Sequence, residues 1–548
     1  MTNCNIGAAL HRVAAERKDA VALVTGKNGK YQHWTFRQVV ENSNSYANAL
    51  RKRGVQRGDR VMLMVRPSME FICLTYALFQ LGAVVILIDP GMGYKNLLRC
   101  IGSVQPKVLI AIPQVHLFSR LFRKPFKSVK KRFCVGNSLF RLCGIYLQGE
   151  ARKAGLHFSP VHTDEDELAA IIFTTGSTGP PKGVQYTHGI FYHQLQQIRD
   201  YYGIGPQDVD QPGFPLFALF ATALGAAAVI PDMDPTRPAE VDPVKFIRSI
   251  QDKQVTYSFG SPAIWNVVSR YCIDEQITLP VRKILMAGAP VSGELIKRVQ
   301  QIMPEDGEIY TPYGATESLP STSITGREIL QETWEQTRIG KGTCVGRPLP
   351  GMRVEIIEPV DTPLGDWSEA KILPFGTIGE IVVKGPVVTQ AYDHNEKETR
   401  MAKIPDAEGG GLWHRMGDMG YQDEQGRLWF CGRKAHRVLT PDGPMYTICC
   451  EAIFNEHPEV FRSALVGQGE PGEQWPVLTV ELYSKKAKGE EKLCEELREL
   501  ARSNPLTARI NVFMVFAVFP VDIRHNAKIF REKLAAWVMQ RMACRQGL

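Results

Sequence analysis

Several features are scarce in this 548-residue chain, and each scarcity closes off a class of proteins. The longest apolar stretch, 217–230, is too short to span a bilayer and is rich in Ala and Gly. The opening segment, MTNCNIGAALHRVAAERKDA, lacks the basic start and apolar run of a secretory signal, so a cytoplasmic protein without a transmembrane anchor is expected. Twelve cysteines run from Cys4 to Cys544 without a CxxC spacing. That pattern disfavours zinc ribbons and disulfide scaffolds and leaves buried reduced thiols. Fixed-period repeats and low-complexity tracts are also missing. Hydrophobic residues at 44% and charged residues at 22% are ordinary for a globular protein, which excludes a disordered chain.

What is present has a clear grain. Residues 35–50 carry helical spacing and lead into a strand-like run at GDRVMLMV. FICLTYALFQLG then AVVILIDP repeats the theme, and PKVLIAI adds a further strand. Helix alternating with apolar strand predicts crossover units on a parallel sheet. Residues 352–430 change to short β-rich runs punctuated by Gly, Pro and Asp, the pattern of a small antiparallel subdomain. After Gly432 the tail mixes strands (SALVG, WPVLTVELY, VFMVFAVFP) with helices (EKLCEELRELAR, FREKLAAWVMQRM). The expected fold class is α/β, with a large N-terminal domain of layered α/β subdomains plus a small β-rich subdomain, and then a small mobile α+β C-terminal domain. The preferred cut divides 1–433 from 434–548.

The net charge of +8 is unevenly spread. In VHLFSRLFRKPFKSVKKRF (115–133), Phe118, Leu121, Phe122 and Phe126 interleave with seven Arg and Lys and no acid. Such a stretch can lie at an anionic membrane surface, dock a partner, or be a solvated insertion, and Pro125 breaks any single amphipathic helix.

The most informative stretch is IIFTTGSTGPPKGVQYTH (171–188). A β-branched strand runs into Thr174, Thr175, Gly176, Ser177, Thr178 and Gly179, followed by Lys182. Glycines admit close approach of an anion, backbone N–H groups and hydroxyls can surround phosphate oxygens, and Lys182 adds charge. The spacing is not GxxxxGK[ST], which disfavours a P-loop NTPase. A flexible Gly/Ser/Thr turn is the bland alternative.

TTGSTGPPKG is similar to the phosphate-binding loop of the adenylate-forming superfamily of acyl-CoA synthetases, luciferases and nonribosomal adenylation domains. The resemblance continues in family order through GDRV (58–61), MAGAPVSGEL (286–295), YGATES (313–318), VGRPLPG (345–351), GEIVVKGP (379–386), GDMGYQDEQGRLWFCGR (417–433) and NAKIFREKL (526–534). It implies ATP and Mg²⁺ as cofactors. By that resemblance Tyr313 and Gly314, with Gly288, Ala289 and Pro290, would border the adenine, and Thr316 would bond the α-phosphate. Glu317 would give Mg²⁺ an oxygen ligand. Asp418 would accept from the ribose hydroxyls with Arg433 assisting. Lys528 would be the late catalytic lysine that offsets charge as a carboxylate attacks the α-phosphate.

Three departures narrow the expected reaction. The hinge position two residues after the ribose arginine, usually Asp or Lys, is Ala435. The segment that helps form the thiol-accepting state reads DGPMYTICCEAIF (442–454). A PxFH motif reads PLFAL, with Ala218 in place of His. The nucleotide half of the pattern is intact and the acceptor half is not. This combination resembles the β-lactone synthetases of the bacterial long-chain olefin pathway. That resemblance implies adenylation of a long-chain 2-alkyl-3-hydroxy acid and ring closure by its own hydroxyl, with association with other enzymes of that pathway. His188, His193 and His436 are formal candidates for the base. Phe214, Phe217, Phe220, Phe259 and Trp265 could line an acyl pocket or form plain core. The alternatives are a long-chain acyl-CoA ligase, an acyl-AMP ligase, and a non-catalytic membrane- or nucleic-acid-binding relic. Nucleic acid is not an expected partner, because Glu317, Asp418, Arg433 and Lys528 are all retained.

Overall fold

The computed structural model describes residues 3–136, 144–173, 180–484, 490–522 and 528–546. Its first layers follow from the helix–strand alternation. The helix Phe36–Lys52 begins with a capping box in which Thr35 and Gln38 satisfy each other's backbone N–H groups. The helix Met69–Gln80 starts at Ser68, whose hydroxyl accepts from the Phe71 N–H. From Ile72 to Gln80 every residue of this second helix is buried, so it runs through the interior rather than over the surface.

Beside these helices lies a seven-stranded sheet. Arg60–Met64 pairs in parallel with Val84–Leu87 and Val108–Ala111, and Val84–Leu87 pairs in parallel with Leu168–Phe173. Among the described residues of this sheet, only the last pair, Leu168–Phe173 with Gly183–Thr187, is antiparallel, with Phe173 opposite Gly183. The Gly/Ser/Thr loop connects these two strands. Its residues Thr174 to Gly179 lie outside the described residues.

A second, larger sheet has a parallel centre that includes Tyr257–Gly260, Lys283–Met286 and Glu308–Ala315. The β-rich runs of 352–430 are antiparallel, as their composition predicts, but they do not form a separate sheet. The strand Thr343–Pro348 pairs with Ser318–Thr325 on one edge and Leu428–Arg433 on the other, joining them to the large sheet. Gly346 permits the junction. Its φ is +82°, and a Cβ there would stand 2.0 Å from the Ser323 carbonyl oxygen.

The C-terminal strands Val460–Gln468, Trp475–Leu482 and Val512–Val515 form a sheet of their own. Its two faces bury alternate residues, as the period of two demands. Leu465 and Leu478 face a core shared with the helix Glu490–Arg502, while Ala464, Val466 and Val477 face one shared with Arg531–Gln546. The molecule is thus a large sheet-containing N-terminal domain followed by a smaller C-terminal one. Ten of the cysteines, from Cys4 to Cys494, are buried. No helix among the described residues is long and apolar enough to cross a membrane.

Gly346→Ala should destabilise the chain by more than about 2 kcal/mol, because strain at positive φ adds to a backbone clash. A thermal melt that matches wild type would contradict this account of the sheet junction.

Candidate active site

The two antiparallel strands Leu412–Gln422 and Leu428–Arg433 set Asp418 directly opposite Arg433. The carboxylate Oδ1 lies 3.0 Å from the Arg433 Nη1. From the neighbouring part of the large sheet, the Tyr313 hydroxyl donates to Asp418 Oδ2 at 2.6 Å. Asp418 is 3% exposed, and burial pushes its carboxyl up against the opposing pull of Arg433, Tyr313 and Lys528. Lys528 lines the same cavity as Asp418, although 110 residues of chain separate the two. Beyond its contact with the Arg433 guanidinium, Oδ1 has no hydrogen-bond donor among the described residues. A buried acceptor oxygen left in that condition suits an incoming hydroxyl.

Glu317 is held from two sides. The Tyr392 hydroxyl donates to its Oε1 at 2.6 Å, and its backbone carbonyl accepts from the Thr389 N–H and hydroxyl at 2.9 and 3.1 Å. Thr389 is in turn gripped by the buried Lys403, whose ammonium donates to the Thr389 carbonyl and lies 3.2 Å from its hydroxyl. Burial lowers Lys403 to about 7, with the charge of Glu317 resisting the fall. Lys182 pairs with Glu398 and lies 5.0 Å from the centre of the Tyr392 ring. The neighbouring Thr316 carbonyl accepts from the Tyr186 hydroxyl at 2.5 Å.

One cavity of about 1640 Å³ gathers these groups. Lys182, Gly288, Ala289, Pro290, Tyr313 and Gly314 line it, as do Thr316, Glu317, Asp418, Arg433 and Lys528. It is well beyond the roughly 300–1,000 Å³ of a typical small-ligand pocket, so it has room for a nucleotide and a second large molecule. Of the aromatic residues considered for an acyl pocket, Phe214, Phe217, Phe220 and Phe259 line it. Trp265 instead is fully buried in a separate core cluster, where its ring meets Phe246 edge-on.

The AMP-binding enzyme profile matches residues 10–393. The chain belongs to the AMP-binding enzyme family. It is 44% identical to an olefin beta-lactone synthetase of Xanthomonas campestris pv. campestris, covering 98% of both chains. It is also 44% identical to an olefin beta-lactone synthetase of Stenotrophomonas maltophilia, over 97% of this chain and 98% of that one. The solved structure of ATP-bound MatB from Rhodopseudomonas palustris shares the fold, with a TM-score of 0.79 over 98% of this chain and 99% of that one at 21% identity.

Within this family framework the acceptor-side departures take physical form. Ala435 sits in the short turn Lys434–His436 that follows Arg433. In the MYTICCE segment, Glu451 is buried and receives the Arg531 guanidinium through both oxygens at 2.7 and 2.6 Å, plus the Leu465 N–H at 2.8 Å. The segment therefore clamps an arginine three residues beyond Lys528. Of the three candidate histidines, only His436 lines the cavity. Burial, with Arg531 and Arg433 nearby, pushes His436 down to about 3, so the ring is neutral at physiological pH. His188 is fully buried against Phe79 and held near 4 by burial, and His193 contacts Gln196.

Sequence reasoning missed Tyr392, Thr389, Lys403 and Glu451. Nothing local marks the first three, and the Glu451 signal was visible only as an unusual CCE triplet. Because the folded chain binds the Lys403 proton weakly, with a value of about 7, the unfolded chain carries more protons up to the ordinary lysine value of about 10.4. Stability attributable to this group therefore rises with pH across that window. Urea unfolding should show wild type gaining on Lys403→Met by up to ~1.4 kcal/mol per pH unit between pH ~7 and ~9. A flat difference would remove Lys403 from its buried setting.

Proposed function

We propose that this protein is an ATP-dependent β-lactone synthetase acting in the cytoplasm on long-chain 2-alkyl-3-hydroxy acids. One observation carries the reading. The lysine after the Gly/Ser/Thr loop, Glu317, the Asp418–Arg433 pair and Lys528 line a single cavity large enough for nucleotide and lipid. Near full-length likeness to two proteins named olefin beta-lactone synthetase supports the choice of substrate.

In this reading Asp418 Oδ1, which meets only the Arg433 guanidinium, accepts from a ribose hydroxyl of ATP while Tyr313 and Arg433 fix the carboxylate. The carboxylate of the hydroxy acid attacks the α-phosphorus and pyrophosphate leaves. The Lys528 ammonium offsets the charge that accumulates as two anions meet. The substrate's 3-hydroxyl then attacks the acyl carbon, closing a four-membered ring and expelling AMP. Attack from within one molecule needs no second-substrate site, which suits a chain whose acceptor segment clamps Arg531 instead. We assign to His436, the candidate histidine that lines the cavity, the orienting of the 3-hydroxyl as a neutral hydrogen-bond acceptor, since with Arg433 and Arg531 beside it the ring is too weakly basic to hold the proton itself.

Glu317 fits a role as Mg²⁺ ligand, being a carboxylate on the cavity wall with one oxygen steadied by Tyr392. Bound there, Mg²⁺ would neutralise phosphate charge. Enzymes that supply the hydroxy acid and consume the β-lactone are the expected partners. The division into 1–433 and 434–548, with the second part moving so that Lys528 enters and leaves the cavity, belongs to the same proposal.

Purified protein given ATP, Mg²⁺ and a 2-alkyl-3-hydroxy acid should make the same lactone with and without coenzyme A. A thioester strictly dependent on coenzyme A would overturn the reading. Lys528→Ala should lose pyrophosphate release by at least ~100-fold while still binding ATP, in line with the loss of a preorganised charge from an active site. His436→Ala should release pyrophosphate at the wild-type rate but close the lactone more slowly, so that acyl-adenylate accumulates. Unimpaired lactone formation by His436→Ala would remove that histidine from the ring closure.

A further inference from the structure

The basic stretch 115–133 has no part in the chemistry above, and the fold gives it a definite shape. Phe118 packs on Phe122 and Phe126, with ring centroids 4.7 and 6.5 Å away, and Phe126 is buried. The aromatic residues that the sequence offered as a surface feature thus anchor the segment inward. The outward face of the helix Pro113–Leu121 is instead aliphatic. Leu117 and Leu121, one turn apart, are 70% and 77% exposed.

Cations surround that pair. Arg120, Arg123, Lys124, Lys127 and Lys130 are all exposed, and the sequence from Pro113 to Gly136 contains no acidic residue. The Arg132 guanidinium is held below its usual range, first by burial and then by the like charge of Arg120. Like charges gathered on one face, with no acid among them, raise the local positive potential and attract anions.

Position gives the patch its meaning. Arg99 and Ser103, on the helix Tyr94–Val104, line the active-site cavity. On the same helix, a Cβ at Gly102 would lie 3.8 Å from the Pro125 Cα of the basic turn. The charged, aliphatic surface therefore adjoins one wall of the cavity that we assign to nucleotide and lipid together.

We propose that the Leu117–Leu121 face and its surrounding cations dock this protein reversibly on an anionic lipid membrane, with the neighbouring cavity wall turned toward the bilayer. The two leucines enter the headgroup boundary and the lysines and arginines face lipid phosphates. The functional purpose, access to a poorly soluble acid, rests on the proposed long-chain substrate. The docking itself does not.

Sedimentation with vesicles tests it. The full chain should bind phosphatidylglycerol-containing vesicles, should not bind pure phosphatidylcholine vesicles, and should be released by high salt. Lys124→Glu/Lys127→Glu should weaken binding at least about twentyfold, given about fivefold per cation removed. Leu117→Ser/Leu121→Ser should also weaken it, and both variants should adenylate a short, soluble 3-hydroxy acid at the wild-type rate. The proposal is overturned if neither vesicle is bound, if neutral vesicles are bound as well as anionic ones, or if the variants bind like wild type. Salt-sensitive binding to nucleic acid or to an acidic protein, in place of vesicles, would overturn it too. A product that required coenzyme A would defeat the proposed reaction and leave the vesicle result standing.

Discussion

The buried carboxylate of Asp418 is the constraint around which the site is built. Taking a carboxylate out of water costs several kcal/mol unless charge and hydrogen bonds offset it. Here the offset comes from three distant parts of the chain: Tyr313 from the large sheet, Arg433 from the adjacent strand, and Lys528 from the C-terminal domain. Electrostatics thus gives the C-terminal domain a reason to present its lysine at the cavity. The same carboxylate has one oxygen that meets only the Arg433 guanidinium, so the charge that draws the lysine also has capacity for a ligand.

A second charged pair steadies this arrangement from behind. Glu451, buried in the helix Thr447–Phe454, holds Arg531 through both carboxylate oxygens. That ion pair fixes the start of the last helix next to the segment bearing Lys528. In this chain the MYTICCE segment serves as a clamp on that arginine.

Much of this was legible in residue order. β-Branched runs marked Arg60–Met64, Val84–Leu87 and Val108–Ala111, and the tail strands fell where SALVG and WPVLTVELY indicated. Residues such as Glu317, Asp418 and Lys528 stand out in the sequence because their neighbours carry a pattern, and all three line one cavity. What remained hidden depended on contacts across long stretches of chain. Glu317 is supported by Tyr392 and Thr389, more than 70 residues away, and Thr389 by Lys403, and no periodicity encodes such meetings. The union of the β-rich region with the large sheet turns on Gly346, whose positive φ and lack of a Cβ are invisible without the partner strand. Trp265 and Phe118 illustrate the same limit, since composition does not say which way an aromatic ring faces.

The central claim is that the carboxylate is adenylated and the 3-hydroxyl closes the ring. Mass spectrometry of products from a 2-alkyl-3-hydroxy acid carrying oxygen-18 in both carboxyl positions tests it most directly. The account predicts one labelled oxygen in AMP and one in the lactone carbonyl, with the ring oxygen unlabelled. A lactone that keeps both labels beside unlabelled AMP would mean that the hydroxyl is activated instead, and would contradict it.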